Sequence, residues 1–432
     1  MSKTEQSIRR FLERHFFWIA VAVLIWISVL IRMSLADTTV SYDYTSFVKC
    51  ITSFRENGLA GGLRIGLGLY FTPYNLLLAL FAVLPFAEYD CIAFSSGVAD
   101  YVLALFAGLT AYTLLWQEKM RAHFPKEYAM AHGAEKDGPT SVTMILPQEE
   151  REAMVQKAAF VSVLVAFLPV VWMNSALWKQ CEGIYACFCM ISLYYLVKER
   201  WNAAFIWFGI AFTIKLQVIF LLPLYLVLYI CGKRFSIAKF LWIPVIYFIA
   251  GLPSVLAGRD IVETYTVYFR QTSAFHRMTF NYPNVYQFAL TDYATYSRPA
   301  ILFTFAVMVC AAYYLFRHKR NIGGREILGL AVWFQWTCVM FLPAMHDRYD
   351  YPVMVLLTVY LFLFERKKIW MAFGMNLMAI EVYCNYLYDF TPLPFVVLAA
   401  FNLVCYLLFS GMLAQRMSGG RSGKAKLRED AA

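Results

Sequence analysis

Charge is what this 432-residue chain has least of: Asp, Glu, Lys and Arg make up 15% of it, against 61% hydrophobic residues. Soluble domains keep roughly a quarter of their residues charged and about half apolar, so a water-soluble globular protein is excluded. Strand-like alternation is also missing. The apolar runs are continuous, which excludes a closed barrel as the means of crossing lipid. No internal repeat or low-complexity domain breaks the pattern. No His, Cys, Asp or Glu spacing matches a metal motif, so no metal and no cofactor is expected. The ten cysteines lie mostly inside apolar runs and read as small buried hydrophobes. Cys187 and Cys189 have no metal-like spacing. Cys50, Cys91 and Cys181 fall near one predicted face, which leaves one disulfide among them open.

What is present is a series of runs approaching the ~20 residues that span hydrocarbon as helix. They fall near 16–36, 92–116, 158–173, 182–197, 202–214, 217–231, 238–257, 299–317, 326–343, 351–364, 368–388 and 393–413. The expected fold is an all-α polytopic membrane protein with about twelve transmembrane helices. Ser34-Leu35-Ala36 resembles a cleavage site, but the run from Phe16 to Ala36 exceeds a signal h-region, so it reads as a permanent first helix.

The net charge of +10 does not point to nucleic acid, because the basic residues sit in short clusters between apolar runs. Examples are Arg9, Arg10 and Arg14; Lys233 and Arg234; Arg317, Lys319 and Arg320; Arg366, Lys367 and Lys368; and the tail from Arg416 to Arg428. Basic loops stay in the cytoplasm. The chain therefore reads as a multi-pass protein of the cell membrane with both termini cytoplasmic. Its parts are a 1–15 terminus, a 16–413 membrane domain and a basic 414–432 tail of disordered composition.

Three loops stand out. Loop 117–157 is cytoplasmic, mixed in charge and without a recognisable motif. Loop 37–91 lies on the outer side. There Phe47, Ile51 and Phe54 recur at helical spacing while Lys49, Arg55 and Glu56 take the other side, an amphipathic surface pattern. A glycine-rich bend follows, and then "PYNLLLALFAVLPF" at 73–86. That run is too short to span and parity argues against its crossing, so two interfacial helices are expected. Loop 258–298 is dense in tyrosine, phenylalanine and arginine. By parity it shares a face with Asp43, with "WMNSALWKQCEGIY" at 172–185, with "FTIKLQVIF" at 212–220 and with "FLPAMHDRYDYPVM" at 341–354. Polar groups at membrane depth are expensive and normally face a cavity or each other. Their placement on one face predicts a polar cavity opening outward.

These elements carry a resemblance. "SYDY" after the first helix, "NSALWKQCEGIY", "IKLQVIF", "NYPNVY" and "LPAMHDRY" run in order from about 41 to 352. They resemble motifs of the GT-C glycosyltransferases, and more specifically of bacterial relatives of the GPI second-mannose mannosyltransferase. Three positions depart from that pattern. Lys179 replaces a glycine, Glu182 an aspartate, and His346-Asp347 a histidine-glutamate pair. The resemblance implies transfer of a hexose, mannose by this likeness, from a polyprenyl-phosphate donor. The acceptor would be a glycan, a glycolipid or a protein at the extracytoplasmic face.

Such chemistry needs a base for the acceptor hydroxyl, cations for the departing phosphate and a partly dry pocket. Asp43 is the candidate base; its plainer role is a loop carboxylate or helix cap. Lys215 is the candidate phosphate contact, with Arg348 or an arginine of the 258–298 loop; otherwise Lys215 snorkels from a helix end. Gln217 is a polar contact for the donor. His346, Asp347, Arg348 and Tyr349 either share in phosphate binding, for which Arg348 is suited, or form a salt-bridged helix cap. Glu182 either binds sugar hydroxyls or orients Lys179, beside Gln180. Asn281, Asn284 and Tyr286 either shape an acceptor cleft or build a turn around Pro283. Asp100, inside the second helix, reads as a partner for a neighbouring helix. Two rival readings remain: a flippase or transporter of lipid-linked sugars, which would share the cavity and charges, and a partner protein without catalysis. The absence of inverted repeats and the one-sided motifs favour the enzyme.

Overall fold

The structure is a computed structural model that describes residues 3–39, 41–66, 68–125, 145–232, 234–318 and 322–419. Lys233, Lys319, Arg320, residues 126–144 of the 117–157 loop and the tail beyond 419 lie outside the described residues. The helices are α1 (Lys3–Leu35), α2 (Tyr42–Ile65), α3 (Thr72–Val83), α4 (Glu88–His123), α5 (Gln148–Ala166), α6 (Pro169–Trp172), α7 (Glu182–Val197), α8 (Trp201–Ile214) and α9 (Leu222–Gly232). There follow α10 (Trp242–Leu256), α11 (Ile261–Tyr265), α12 (Val267–Thr272), α13 (Tyr293–Arg317), α14 (Gly324–Phe341), α15 (Tyr351–Phe364), α16 (Ile369–Tyr388) and α17 (Phe395–Gly419). The described strands are two-residue pieces, β1 (Thr279–Phe280) and β2 (Met345–His346), paired in parallel.

Among the described residues, five helices are long and apolar enough to cross a membrane: Thr4–Leu35, Glu88–His123, Ile237–Leu256, Tyr293–Arg317 and Phe395–Ser418. A sixth arises if Gln148–Ala166 and Pro169–Leu177, bent by 50°, form one broken span. The bend falls just before Pro169, which cannot donate to the preceding turn. The chain is an all-α membrane protein.

Not every expected crossing is of this kind. Helices α7, α8 and α15 hold 16, 14 and 14 residues. At ~1.5 Å per residue they reach only about 21–24 Å of a roughly 30 Å core. Helices α14 and α16 have 18 and 20 residues, but Arg325, Glu326 and Gln335 in one and Asn376, Glu381 and Asn385 in the other dilute their apolar character. Helices α7 and α15 are interior ones. Every residue from Tyr351 to Leu361 of α15 is buried. By contrast α1, α10 and α13 expose Trp26, Phe248 and Phe305, as lipid-facing helices do.

The first long loop folds close to expectation. Phe47, Ile51 and Phe54 of α2 are buried, while Lys49, Arg55 and Glu56 are exposed. Gly58, at φ 66° and ψ 176°, kinks α2 within its length. Helix α3 buries Tyr74, Leu78 and Phe81 and packs on α2 and α10, while Leu80 and Val83 stay exposed. The 258–298 segment contains α11, α12, β1 and the start of α13, rather than coil. Asp292 caps α13 by accepting from the Thr295 amide at 3.0 Å. All ten cysteines are free, so Cys50, Cys91 and Cys181 form no disulfide.

Candidate functional site

The site begins where α2 begins. Ser41 caps that helix, its hydroxyl accepting from the Tyr44 amide at 3.1 Å. Asp43 is therefore not the cap, and its carboxylate turns to remote partners. Gln180 Nε2 donates to Asp43 Oδ2 at 2.8 Å, and the Tyr386 hydroxyl donates to the same oxygen at 3.2 Å. The Arg348 guanidinium stands 3.6 Å away. The Asp43 side chain keeps 22% of its surface exposed.

The chain from 173 to 182 supplies the wall behind it. Met173–Leu177 is a π-helical turn, a widening often found at functional sites. Lys179 follows in the left-handed region at φ 59°, the conformation that glycine adopts without strain. Its ammonium donates to the carbonyls of Thr39 at 2.7 Å and Leu177 at 3.3 Å. The Thr39 hydroxyl also donates to the Leu177 carbonyl. The segment leading into Asp43 is thus clipped to this turn. Burial lowers the Lys179 pKa, with Asp37 opposing. Trp178 stacks on Tyr386 at 4.4 Å and lies 5.1 Å beneath the Arg348 guanidinium.

Glu182, the first residue of α7, is fully buried and accepts from both Lys215 Nζ and Arg348 Nε, the latter at 3.1 Å. Its second oxygen has no partner among the described residues. Lys215, at the end of α8, is 4% exposed, so it does not snorkel to water. Arg348 also pairs with Asp347 at 3.2 Å. One arginine therefore bridges three carboxylates from three separate segments, with Lys215 as a second cation. A network of this kind holds its members in one geometry, because unpairing any of them leaves a buried charge.

The loop carrying Arg348 is fixed by β1–β2 pairing, and the Ala344 amide donates to the carbonyls of Arg277 and Met278 at 3.1 and 3.0 Å. His346 stacks on Phe280 at 4.5 Å, with Phe275 against its edge at 4.6 Å. Burial first, then Arg348 and Lys215, pull the His346 pKa down to about 3, so the ring is neutral. Burial pushes the Asp347 carboxyl up to about 7; Arg348 lowers it, and Asp43 and Glu182 raise it.

Asp43, Gln180, Glu182, Lys215 and Arg348 thus lie together, with His346 one residue from Asp347. Gln217 is set to one side. It lines a cavity of about 280 Å³ with Tyr349, Gln271, Phe275 and Met345. Its Oε1 has no partner among the described residues. Asn281, Asn284 and Tyr286 are not brought to the cluster. Asn284 accepts from the Tyr286 amide and donates to the Val339 carbonyl, and the Tyr286 hydroxyl donates to the Phe341 carbonyl. Asn281 is exposed at φ 52°. They build the turn around Pro283, not a cleft wall.

Asp100 has the expected helix partner, and more. Arg32 of α1 pairs with it at 3.1 Å, and Ser175 and Tyr351 donate to it at 2.6 and 3.2 Å. Neither Arg32 nor Tyr386 was legible as a partner. Tyr386 lies 343 residues from Asp43, and no local pattern marks it. Among the described residues, no group of three or more His, Cys, Asp or Glu is placed to hold a metal ion.

Fold and site together define a polytopic α-helical membrane protein with a buried charge network under one partly exposed carboxylate. No family model, curated protein or solved structure matches the chain.

Proposed function

We propose that this protein is a membrane glycosyltransferase that moves a hexose from a polyprenyl-phosphate donor to an acceptor hydroxyl at the extracytoplasmic face. Mannose and the twelve-span arrangement with cytoplasmic termini rest on the motif resemblance and the basic-loop pattern. The observation that carries the reading is the setting of Asp43: a partly exposed carboxylate beside the buried Arg348, which shares Glu182 with a second buried cation, Lys215.

In the reaction, Asp43 takes the proton of the acceptor hydroxyl as that oxygen bonds to the anomeric carbon. The bond from that carbon to the phosphate oxygen breaks, and its electron pair leaves with the lipid phosphate. Arg348 and Lys215 stabilise the charge that develops there, an electrostatic effect concentrated by burial. Gln180 and Tyr386 hold the Asp43 carboxylate in position. Glu182 keeps both cations in place between turnovers.

The test is transfer from polyprenyl-phosphate-mannose to membrane glycolipids by the purified chain in lipid. Asp43→Asn is expected to lower turnover ~10²–10⁴-fold. A chelator is expected to leave the wild-type rate unchanged, since fixed cations serve the phosphate. Equal turnover by Asp43→Asn removes the base. Movement of lipid-linked sugar across vesicles without acceptor, and no transfer, replaces the enzyme by a flippase.

A further inference from the structure

A second cationic centre lies away from this network, at the end of a membrane span. The candidate span Ile237–Leu256 stops three residues before Arg259. Arg259 is only 6% exposed, yet it takes part in no salt bridge among the described residues. Its Nε is buried without a hydrogen-bond partner. A buried guanidinium with an unsatisfied donor is costly and calls for an acceptor.

The surroundings say which acceptor. Arg270 of α12 is close enough to act on the Arg259 charge, and Glu263 is the acid that does so. Arg64, at the end of α2, passes 3.5 Å from where a Cβ on Gly258 would stand. The Arg259 guanidinium lies over Gly66, where any Cβ would overlap it. The Asp260 side chain is occupied in capping α11, accepting from the Glu263 amide at 2.8 Å. Three arginines thus come near one turn, Arg64 and Arg270 exposed and Arg259 buried.

Around them the surface is apolar: Leu256 is 84% exposed and Phe269 76%, and Ile65, Ile261 and Val262 are exposed beside them. That pattern excludes a purely aqueous face. Cations ringed by exposed aliphatic and aromatic side chains, at the mouth of a lipid-facing helix, match a molecule with a phosphate head and a hydrocarbon body. Guanidinium groups bind phosphate oxygens bidentately and better than ammonium groups do. Basic pockets beside membrane helices bind anionic lipid heads on the same principle.

We propose that Arg259, with Arg64 and Arg270, forms a binding site for the phosphate group of a membrane lipid, separate from the Asp43 network. It holds whether or not the chain transfers sugars. Two lipid sources share this chemistry: an anionic phospholipid of the bilayer, and a polyprenyl phosphate.

The test is native mass spectrometry of the full chain in detergent, with added phosphatidylglycerol, polyprenyl phosphate or phosphatidylcholine. Wild type is expected to retain one or both anionic lipids roughly tenfold or more over phosphatidylcholine. Arg259→Gln is expected to lose one anionic lipid of those that wild type retains, Arg270→Gln and Arg64→Gln to weaken retention of that lipid, and the remote Arg151→Gln to leave it intact. Arg259-dependent retention of phosphatidylglycerol alone assigns the site to a bilayer lipid; Arg259-dependent retention of polyprenyl phosphate alone assigns it to the prenyl carrier. Equal retention of all three by wild type overturns the site. So does an undiminished preference in Arg270→Gln and Arg64→Gln, whose exposed side chains can be replaced even if Arg259→Gln fails to fold.

Discussion

At the scale of single residues, the network is a problem of buried charge. Glu182 is the counter-ion of both Lys215 and Arg348. Glu182→Ala leaves two cations short of an anion in a dry site. The expected cost is about 3–5 kcal/mol, read as a large drop in melting temperature in detergent; an unchanged melt would mean that water reaches these groups freely. Asp347 and His346 act on stability in opposite directions. The Asp347 carboxyl ordinarily titrates near 3.8 and here near about 7. Between those values the unfolded chain has released a proton that the folded chain keeps, so its contribution is full below about 3.8 and lost as pH rises through about 7. His346, ordinarily near 6.5 and here near about 3, contributes stability above about 6.5 that is lost as pH falls toward about 3. The wild-type melting temperature minus that of Asp347→Asn is therefore expected to decline from pH 4 to 7. The same difference for His346→Phe is expected to rise over that range. A flat difference in either series would contradict the burial that sets the shift.

At the scale of elements, two devices shape the segment that carries Asp43. One is the clip of Lys179 to Thr39 and Leu177. Lys179→Ala keeps the left-handed backbone but removes the ammonium, so faster amide exchange is expected at Thr39 and in the first turn of α2. Lys179→Gly is expected to relieve the backbone while still losing the clip. Exchange unchanged in both variants would leave the clip without a role. The other device is the kink at Gly58, at φ 66° and ψ 176° with no atom within 4 Å of a would-be Cβ. Because space is free there, Gly58→Ala tests backbone strain alone, at an expected ~1–3 kcal/mol. An amphipathic pattern announces α2 because one face is buried and the other wet. For α3 the apolar run announces a helix but does not say which neighbour covers it.

At the scale of the molecule, segments distant in sequence meet at one end of the bundle: the start of α2, the 173–182 turn, the end of α8 and the 342–350 loop. If that end is extracytoplasmic, a cysteine at exposed Asn281, in a chain otherwise free of cysteine, should react with an impermeant maleimide on intact cells. One at Ser422 should react only after permeabilisation. The reverse pattern would turn the protein over and remove the proposed site from the outer face.

Membership of the membrane-helix class was determined by the sequence alone, because hydropathy and charge scarcity are sums over local residues and need no fold. So was the list that includes Asp43, Gln180, Glu182, Lys215 and Arg348, since charged and amide groups stand out in apolar surroundings. What they touch was decided only by tertiary structure. Tyr386 on Asp43, Arg32 on Asp100 and Trp178 beneath Arg348 are contacts between segments that no periodicity relates. Where each described helix ends was likewise decided in three dimensions, by caps, prolines and packing rather than by the length of an apolar run. Asn284 and Tyr286 make the same point in reverse: polar residues in a suggestive motif, yet spent on backbone carbonyls once the chain closed around them.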